Sequence, residues 1–413
     1  MAEIGLGPES PPSPYERLAD AQGARLLESL APFDEGRIAQ ATALARSLAD
    51  PALAHAALAT AFARRRARTA HKFGRADQMF FTRAGYEQSS SESVARHRAA
   101  RFERYARIAD LCCGIGSDAI ALARSTSARI SAVDNDVDAI TCARLNARVY
   151  GVDARIDHHL SDALRWPLAC DAAFADPSRR SARGRERSSS AYQPSLRALL
   201  GRAAELPGHA LAVKVAPGLR TDPDEIRQAC NAPVELEFVS ERGVCKEEVL
   251  WCGDLARHHG ARRATVIDAD GAHELDGSNQ RAPSTSLQRW IGEPDAAVIR
   301  AGLIGALCER IDAHLVDVDV AYMTAERARP GTFVRWYEVI ETMPFGVKRL
   351  RAALRVRDIG RLVVKTRAFP LRPEQIVALL KARGDAEAVL VCTTLRGSKT
   401  AILCRAPSAP MPT

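Results

Sequence analysis

Residues 109–119 read Ala-Asp110-Leu-Cys-Cys-Gly114-Ile-Gly116-Ser-Asp-Ala119, and this stretch decides the fold. An apolar run, ARIADL (106–111), enters it, and a helical pattern, DAIALARS (118–125), leaves it. A strand that runs through a glycine turn into a helix presents free N–H groups at the helix start and lets backbone approach a ligand. Towards the C-terminus, ARISAVD (128–134) reads as a second strand, and DVDAITCARLNARVYG (136–151) as a helix stopped by Gly151. DARIDHH (153–159), CDAAFAD (170–176), HALAVKVA (209–216) and VELEFVS (234–240) supply further strands, most of them separated by helix or loop. Alternation of this kind predicts an α/β, Rossmann-like parallel sheet with helices on both faces. CKEEVLWCG (245–253) follows after only the short turn ERGV, which predicts an antiparallel hairpin at the sheet edge.

The carboxylates at the strand ends carry the chemical reading. Asp134 closes the second strand, 20 residues after Gly114, where a carboxylate accepts the hydroxyls of a ribose; Asn135 follows it. A G-x-G-x-x-A turn alone would serve a nicotinamide dinucleotide equally well. Three features favour S-adenosylmethionine (SAM). Asp110, four residues before Gly114, is placed to meet an ammonium group. A ligand without a pyrophosphate has no need of the third glycine. Asp162, after the third strand, is placed for an adenine amino group. Asp176-Pro177 ends the fourth strand, where an acceptor amine would be aimed by the carboxylate or by the proline carbonyl. Lys214, at the end of the fifth strand, faces the same edge and is either a cation for a phosphate near the site or a strand-end surface lysine. Each lone Asp could be a helix cap or a surface charge; four at successive strand ends make that reading weak.

Around this unit, YERLADAQGARLLESL (15–30) and EGRIAQATALARSLAD (35–50) show helical spacing, and Asp50-Pro51 starts another helix. Residues 67–90 look like a loop, and SSESVARHRAARFERY (90–105) like a helix capped by one of its leading serines. Further on, RRATVID (262–268) and HELDG (273–277) predict a small hairpin, and PDAAVIRAGLIGALCERI (294–311) predicts one helix. FVRWYEVIE, GRLVVKTR, RPEQIVALLKAR, AEAVLVCTTL and TAILCRA, between 333 and 406, predict an α+β unit. The expected organisation is a disordered lead-in (1–14), a helical N-terminal domain (15–104), the SAM-binding domain (105–255), a connecting region (256–327) and a C-terminal α+β domain (328–406).

The 413 residues, 46% hydrophobic and 26% charged, are those of a globular chain of two or three domains. The N-terminus shows no secretory pattern and no segment is apolar enough to span a membrane, so the expectation is a cytoplasmic protein without a membrane partner. None of the ten cysteines forms a C-x-x-C pair, and the histidines are not spaced with them as ligand sets; buried thiols and no metal are expected. Net charge is +8. Basic residues gather at 64–75, at 179–187 and at 348–367, a distribution that favours nucleic acid. No feature sets the oligomeric state.

The stretch from Asp110 to Pro177 resembles the core of class I SAM-dependent methyltransferases. With Phe80-Phe81-Thr82, Glu92-Ser-Val-Ala-Arg-His97 and Ala143-Arg-Leu-Asn146-Ala-Arg-Val-Tyr-Gly151 added, it is similar to the RNA-cap trimethylguanosine synthases. By that resemblance Phe81 and Thr82 lie over the cofactor. The pattern departs at the fourth strand, where Asp176-Pro177-Ser178-Arg179-Arg180 replaces Pro-Pro-aromatic. Base stacking by that aromatic does not carry over; Arg179 and Arg180 are candidates to stack on a base or clamp a phosphate, or form a solvated pair. Over residues 70–405 the chain resembles bacterial methyltransferases with a C-terminal THUMP-like domain, through Tyr86-Glu-Gln-Ser-Ser90, Val213-Lys-Val-Ala-Pro-Gly218, Cys245-Lys-Glu-Glu248 and the tail. That resemblance implies methylation of a base amino group in structured RNA such as tRNA or rRNA. The rival readings are a methyltransferase of a small molecule or protein, a non-catalytic RNA-binding protein, and a nicotinamide-linked oxidoreductase.

Overall fold

The computed structural model describes residues 13–179, 192–219 and 222–405. Contacts divide the chain into one compact unit of residues up to 235 with 249–259, and a second of 236–248 with 260 onward.

The first unit begins with helices. α1 (Pro14–Leu18) is capped by Ser13, and α2 (Ala21–Leu30) by Asp20, whose side chain breaks the 15–30 pattern in two by accepting from Gly23 N–H. α3 (Ile38–Leu48) precedes α4 (Pro51–Thr69), which starts on the Asp50 cap with proline in its first turn. Its buried face is mostly alanine, with Leu53 and Thr60, and these small side chains admit α1–α3 closely. α5 (Arg83–Gln88) occupies the segment expected to be loop: Thr82 caps it, accepting from Gly85 N–H at 2.8 Å. α6 (Glu92–Ala99) is capped by Ser91.

There follow β1 (Arg107–Leu111), α7 (Ser117–Ser125), β2 (Arg129–Asp134), α8 (Val137–Tyr150), β3 (Ile156–Leu160) and β4 (Ala172–Ala175). A two-residue ribbon, β5 (Ser178–Arg179) with β6 (Tyr192–Gln193), leads to α9 (Leu196–Gly201), β7 (Leu211–Val215) and α10 (Pro223–Cys230). The strands pair in parallel in the order β7-β4-β1-β2-β3. The order turns back between β1 and β4. A crevice opens at such a switch point, beyond the carboxyl ends of the strands.

β8 (Val234–Glu241) and β9 (Val244–Cys252) are the expected strand pair, but β8 is no edge: β10 (Arg262–Asp268) runs parallel to it, and β11 (Gly271–Gly277) forms the predicted hairpin with β10. In the second unit, β12 (Trp290–Pro294) precedes two helices, not one. α11 (Ala296–Ala301) stops at Gly302, which holds φ +71°, and α12 (Ile304–Ile311) restarts beyond it. β13 (His314–Asp317), β14 (Val320–Ala325) and β15 (Val334–Pro344) come next. After them run α13 (Val347–Val356), β16 (Ile359–Arg367), α14 (Pro373–Leu380), β17 (Ala386–Leu395) and β18 (Ser398–Arg405). One sheet holds them in the order β13-β14-β12-β15-β18-β17-β16, so strands of the expected connecting region share a sheet with the C-terminal unit. Leu350, Leu354, Ile376 and Leu380 pack α13 and α14 against it.

Eight of the ten cysteines are buried, and none is in a disulfide. No helix among the described residues is long and apolar enough to cross a membrane.

Candidate functional site

Three alternate residues after β1 set the shape of the loop beside the crevice. Cys112 and Gly114 take positive φ (62° and 55°), and Gly116, at +83°, caps α7. Gly116 is required by packing as well: a Cβ there would lie 3.0 Å from the Ala143 methyl of α8. At Gly114 an added Cβ meets nothing within 4 Å, so the loop borders open space at that point. Asp134, at the end of β2, fixes this loop. One carboxylate oxygen accepts from Gly114 N–H at 2.8 Å and the other from Asp136 N–H at 3.0 Å, which leaves lone pairs on both. Burial raises its carboxyl above the usual range.

Asp110 is fully buried in β1, and among the described residues neither of its oxygens has a side-chain hydrogen-bond partner; the Ala119 N–H, at the start of α7, acts on it to lower its carboxyl. Burial raises its carboxyl well above the ordinary aspartate range, Asp118 and Asp176 raise it further, and Arg98 opposes them. Arg98, from α6, pairs with buried Asp118 of α7 and lies over the Phe174 ring, 4.6 Å from its centroid. It also donates to Ser90 Oγ at 2.8 Å.

Asp176 follows β4, and its backbone N–H donates to Leu111 O at 3.1 Å. Its carboxylate pairs with Lys214 from β7; the two side chains are 21% and 14% exposed. Lys214 Nζ also donates to Gln88 O and Ser90 Oγ, both at 3.3 Å. Its charge is therefore shared between Asp176 and the α5–α6 turn, and the lysine is half-buried rather than a solvated strand-end cation. Burial raises the Asp176 carboxyl, with the Lys214 ammonium pulling against it.

The chain is similar to a protein of Mycobacterium tuberculosis, present in strains CDC 1551 and H37Rv. It is 33% identical over 355 residues, covers 82% of this chain and 94% of its relative, and is described as an uncharacterized S-adenosylmethionine-dependent methyltransferase. The chain belongs to the S-adenosylmethionine-dependent methyltransferases. Family models agree with this methyltransferase over two segments, the RNA cap guanine-N2 methyltransferases at 105–188 and the THUMP domain-like family at 334–406. A crystal structure of a candidate methyltransferase from Porphyromonas gingivalis W83 superposes with a TM-score of 0.70 at 21% identity, over 91% of this chain and all of the other, and shows the same fold.

The crevice fits such a cofactor. A buried carboxylate without a side-chain donor suits an ammonium, and the space beside Gly114 suits a ligand against backbone. Of the other expected residues, Asn135 and Asp162 are exposed, the latter accepting from Leu164 N–H at 2.7 Å. Pro177 is buried. Thr82 is half-buried at the start of α5. Phe81 differs from the expectation: its ring is fully buried in the helical core, 5.8 Å from both Phe73 and Tyr86, and does not lie open over the crevice. Arg179 is exposed on β5; Arg180 lies outside the described residues. The ribbon does return an aromatic to the strand end, but Tyr192 is buried and its hydroxyl accepts from Ala216 N–H at 2.8 Å.

Sequence reasoning assigned no role to four buried polar residues. Asn146 accepts from Phe80 N–H at 2.7 Å and donates to Phe80 O and Ile115 O, both at 3.0 Å, binding the aromatic segment to the glycine loop. Ser90, Arg98 and Asp118 form the other tie. Asn146 stands inside a quoted motif, as a polar residue on the apolar face of a helix, and that was the signal. Of the first basic cluster, Arg64 donates to Met79 O and Gln78 O, Arg68 pairs with Asp77 and Lys72 donates to Tyr86 O. These are structural cations. In the third cluster Arg357, Arg361 and Lys365 pair with Glu341, Glu387 and Glu293. Lys348, Arg349 and Arg355 stay exposed on α13.

Proposed function

We propose that this methyltransferase modifies an exocyclic amino group of a base in structured RNA. The observation that carries the reading is Asp176 at the end of β4, paired with Lys214 of β7; Asp176 lies inside the segment that matches RNA cap guanine-N2 methyltransferases, in a chain that also matches the THUMP domain-like family. In this reading Asp110 holds the methionine ammonium, Asp134 and Asn135 the ribose, Asp162 the adenine amino group, and Gly114 and Gly116 give the backbone approach. Thr82 borders the site, with Phe81 supporting it from behind. SAM supplies an electrophilic methyl group on a sulfonium.

The chain's own task is alignment. An amine attacks through its lone pair and sheds its proton afterwards, so positioning dominates over base catalysis. Lys214 favours the anionic form of Asp176 against burial, and Asp176 accepts a hydrogen bond from the amine and aims its lone pair outward from the strand. The Pro177 carbonyl is the second acceptor. Arg179 and Arg180 contact the RNA beside the target base, which must leave its stack to enter the crevice. Exposed Lys348, Arg349 and Arg355 of α13 contact RNA phosphates, so binding weakens as salt rises.

The test is mass spectrometry of nucleosides from total RNA of cells with and without the gene. The expected result is the loss of one base-methylated nucleoside, restored by the wild-type gene and not by Asp176→Asn. An unchanged nucleoside profile, with methyl transfer by the purified protein to a metabolite or protein, would overturn it.

A further inference from the structure

Away from the crevice, the first unit contains a second cavity, of about 420 Å³, between α3, α4 and α5. That is ample for a small ligand. Its inner wall is apolar and aromatic, with half-buried Leu58, Phe62 and Tyr86. Three arginines from three different helices, Arg46, Arg66 and Arg83, line its exposed side, against a single acid, Glu35. Arg66 pairs with Glu35, and Arg83 with Glu87 at 3.6 Å in an exposed pair. Arg46 has no side-chain partner among the described residues. The lining therefore carries a positive excess at the mouth and ring surfaces inside.

We propose that this cavity binds one nucleotide of the RNA substrate other than the methylated one, its base against Phe62 and Tyr86 and its phosphate at Arg46, Arg66 and Arg83. The proposal rests on the RNA reading above. Aromatic faces stack any base, and guanidinium forks match phosphate oxygens. An acidic peptide would satisfy the arginines but leave the ring-lined interior unused. Position decides for the RNA strand. Tyr86, in the cavity wall, stands two residues before Gln88, whose carbonyl receives Lys214 Nζ, the partner of Asp176. At 1.5 Å rise per residue, about 3 Å of helix axis separates the two. One short helix thus borders the cavity and holds the lysine of the acceptor-side pair, which puts the two sites within reach of one RNA molecule.

The experiment uses the full chain and two variants outside the crevice: Arg46→Ala, which removes an unpaired surface cation, and Leu58→Trp, which fills the cavity without changing charge. The probes are bulk tRNA, AMP and GMP, and melting curves and SAM calorimetry establish that both variants are folded and bind the cofactor. The expected result is a roughly five- to tenfold weaker tRNA affinity in each variant, with the slope of log K against log salt reduced by about one for Arg46→Ala and unchanged for Leu58→Trp. Wild-type affinity for tRNA retained in both variants overturns the cavity proposal and leaves the RNA reading standing. A wild-type chain that binds AMP or GMP but no tRNA overturns both, as a free-nucleotide site. A cavity covered by a second copy, seen as a dimer that Leu58→Trp dissociates without loss of tRNA binding, overturns the proposal as well.

Discussion

Asp110 and Asp176 sit at the carboxyl ends of neighbouring parallel strands, β1 and β4, both withdrawn from water and both with raised carboxyl groups. One has no side-chain donor among the described residues; the other holds a lysine. A buried carboxylate short of donors costs about 1–3 kcal/mol or more, and a folded chain keeps such a cost where a ligand removes it. Under the proposed function the difference separates two tasks: Asp110 would be left open for a cation that arrives with the cofactor, and Asp176 is supplied with its cation, Lys214, in advance.

The largest effect is expected at the open end. Asp110→Asn should weaken SAM binding at least 100-fold by calorimetry, since an unmatched charge in a buried pair costs about 3–5 kcal/mol. The same variant should be no less stable than the parent without ligand. The folded carboxyl of Asp110 lies above its unfolded value, so its contribution to stability is complete below the unfolded value and is lost as pH rises through the folded one. Ligand-free Asp110→Asn should accordingly melt at or above the parental temperature at pH 8. Weaker melting together with lost binding would make Asp110 a structural residue and erase the contrast.

At the closed end, Asp176→Asn should leave SAM affinity within about threefold and lower kcat by about 10²–10³, the scale of one misplaced polar group in a reaction centre. Lys214→Met should act through the same carboxylate. Burial then acts on Asp176 without the opposing ammonium, the carboxyl takes its proton at higher pH, and the acid limb of kcat moves upward. At pH 7 a loss of about tenfold is expected, shrinking as pH rises. An unshifted pH profile would show that Lys214 serves only the α5–α6 turn.

How much of this contrast was legible in the sequence depends on what each residue's role requires. The strand-end positions of Asp110, Asp134 and Asp176 follow from alternating strand and helix patterns, because period and turn chemistry are local. The β10–β11 hairpin was legible for the same reason. The pairing of Asp176 with Lys214 joins residues 38 apart in the chain, and the role of Arg98 depends on α6 folding against α7; neither contact leaves a periodic signature. An aromatic beside a motif reads alike in sequence whether it covers a ligand or fills a core; the burial of the Phe81 ring between Phe73 and Tyr86 is visible only in the fold. The basic cluster at 64–75 misled similarly, since a cation that caps carbonyls, as Arg64 does, is indistinguishable in sequence from one that awaits phosphate.

The smallest effect sharpens the comparison from outside the two carboxylates. Asn146 is fully buried and ties the backbone of Phe80 to that of Ile115, in the glycine loop that follows Asp110. It touches neither carboxylate. Asn146→Ala strands one donor and two acceptors, so stability should fall by about 2–4 kcal/mol. If the open end depends on the loop's shape, SAM affinity should drop about fivefold while kcat at saturating SAM stays within twofold, because the Asp176–Lys214 pair is held by other contacts. Asn146→Asp keeps an acceptor for Phe80 N–H but sets a buried carboxylate against the Phe80 and Ile115 carbonyl oxygens, and should melt at or below the alanine variant at neutral pH. A fall in kcat with unchanged SAM affinity in Asn146→Ala would mean that the two ends share one support, and the division of labour between Asp110 and Asp176 would have to be abandoned.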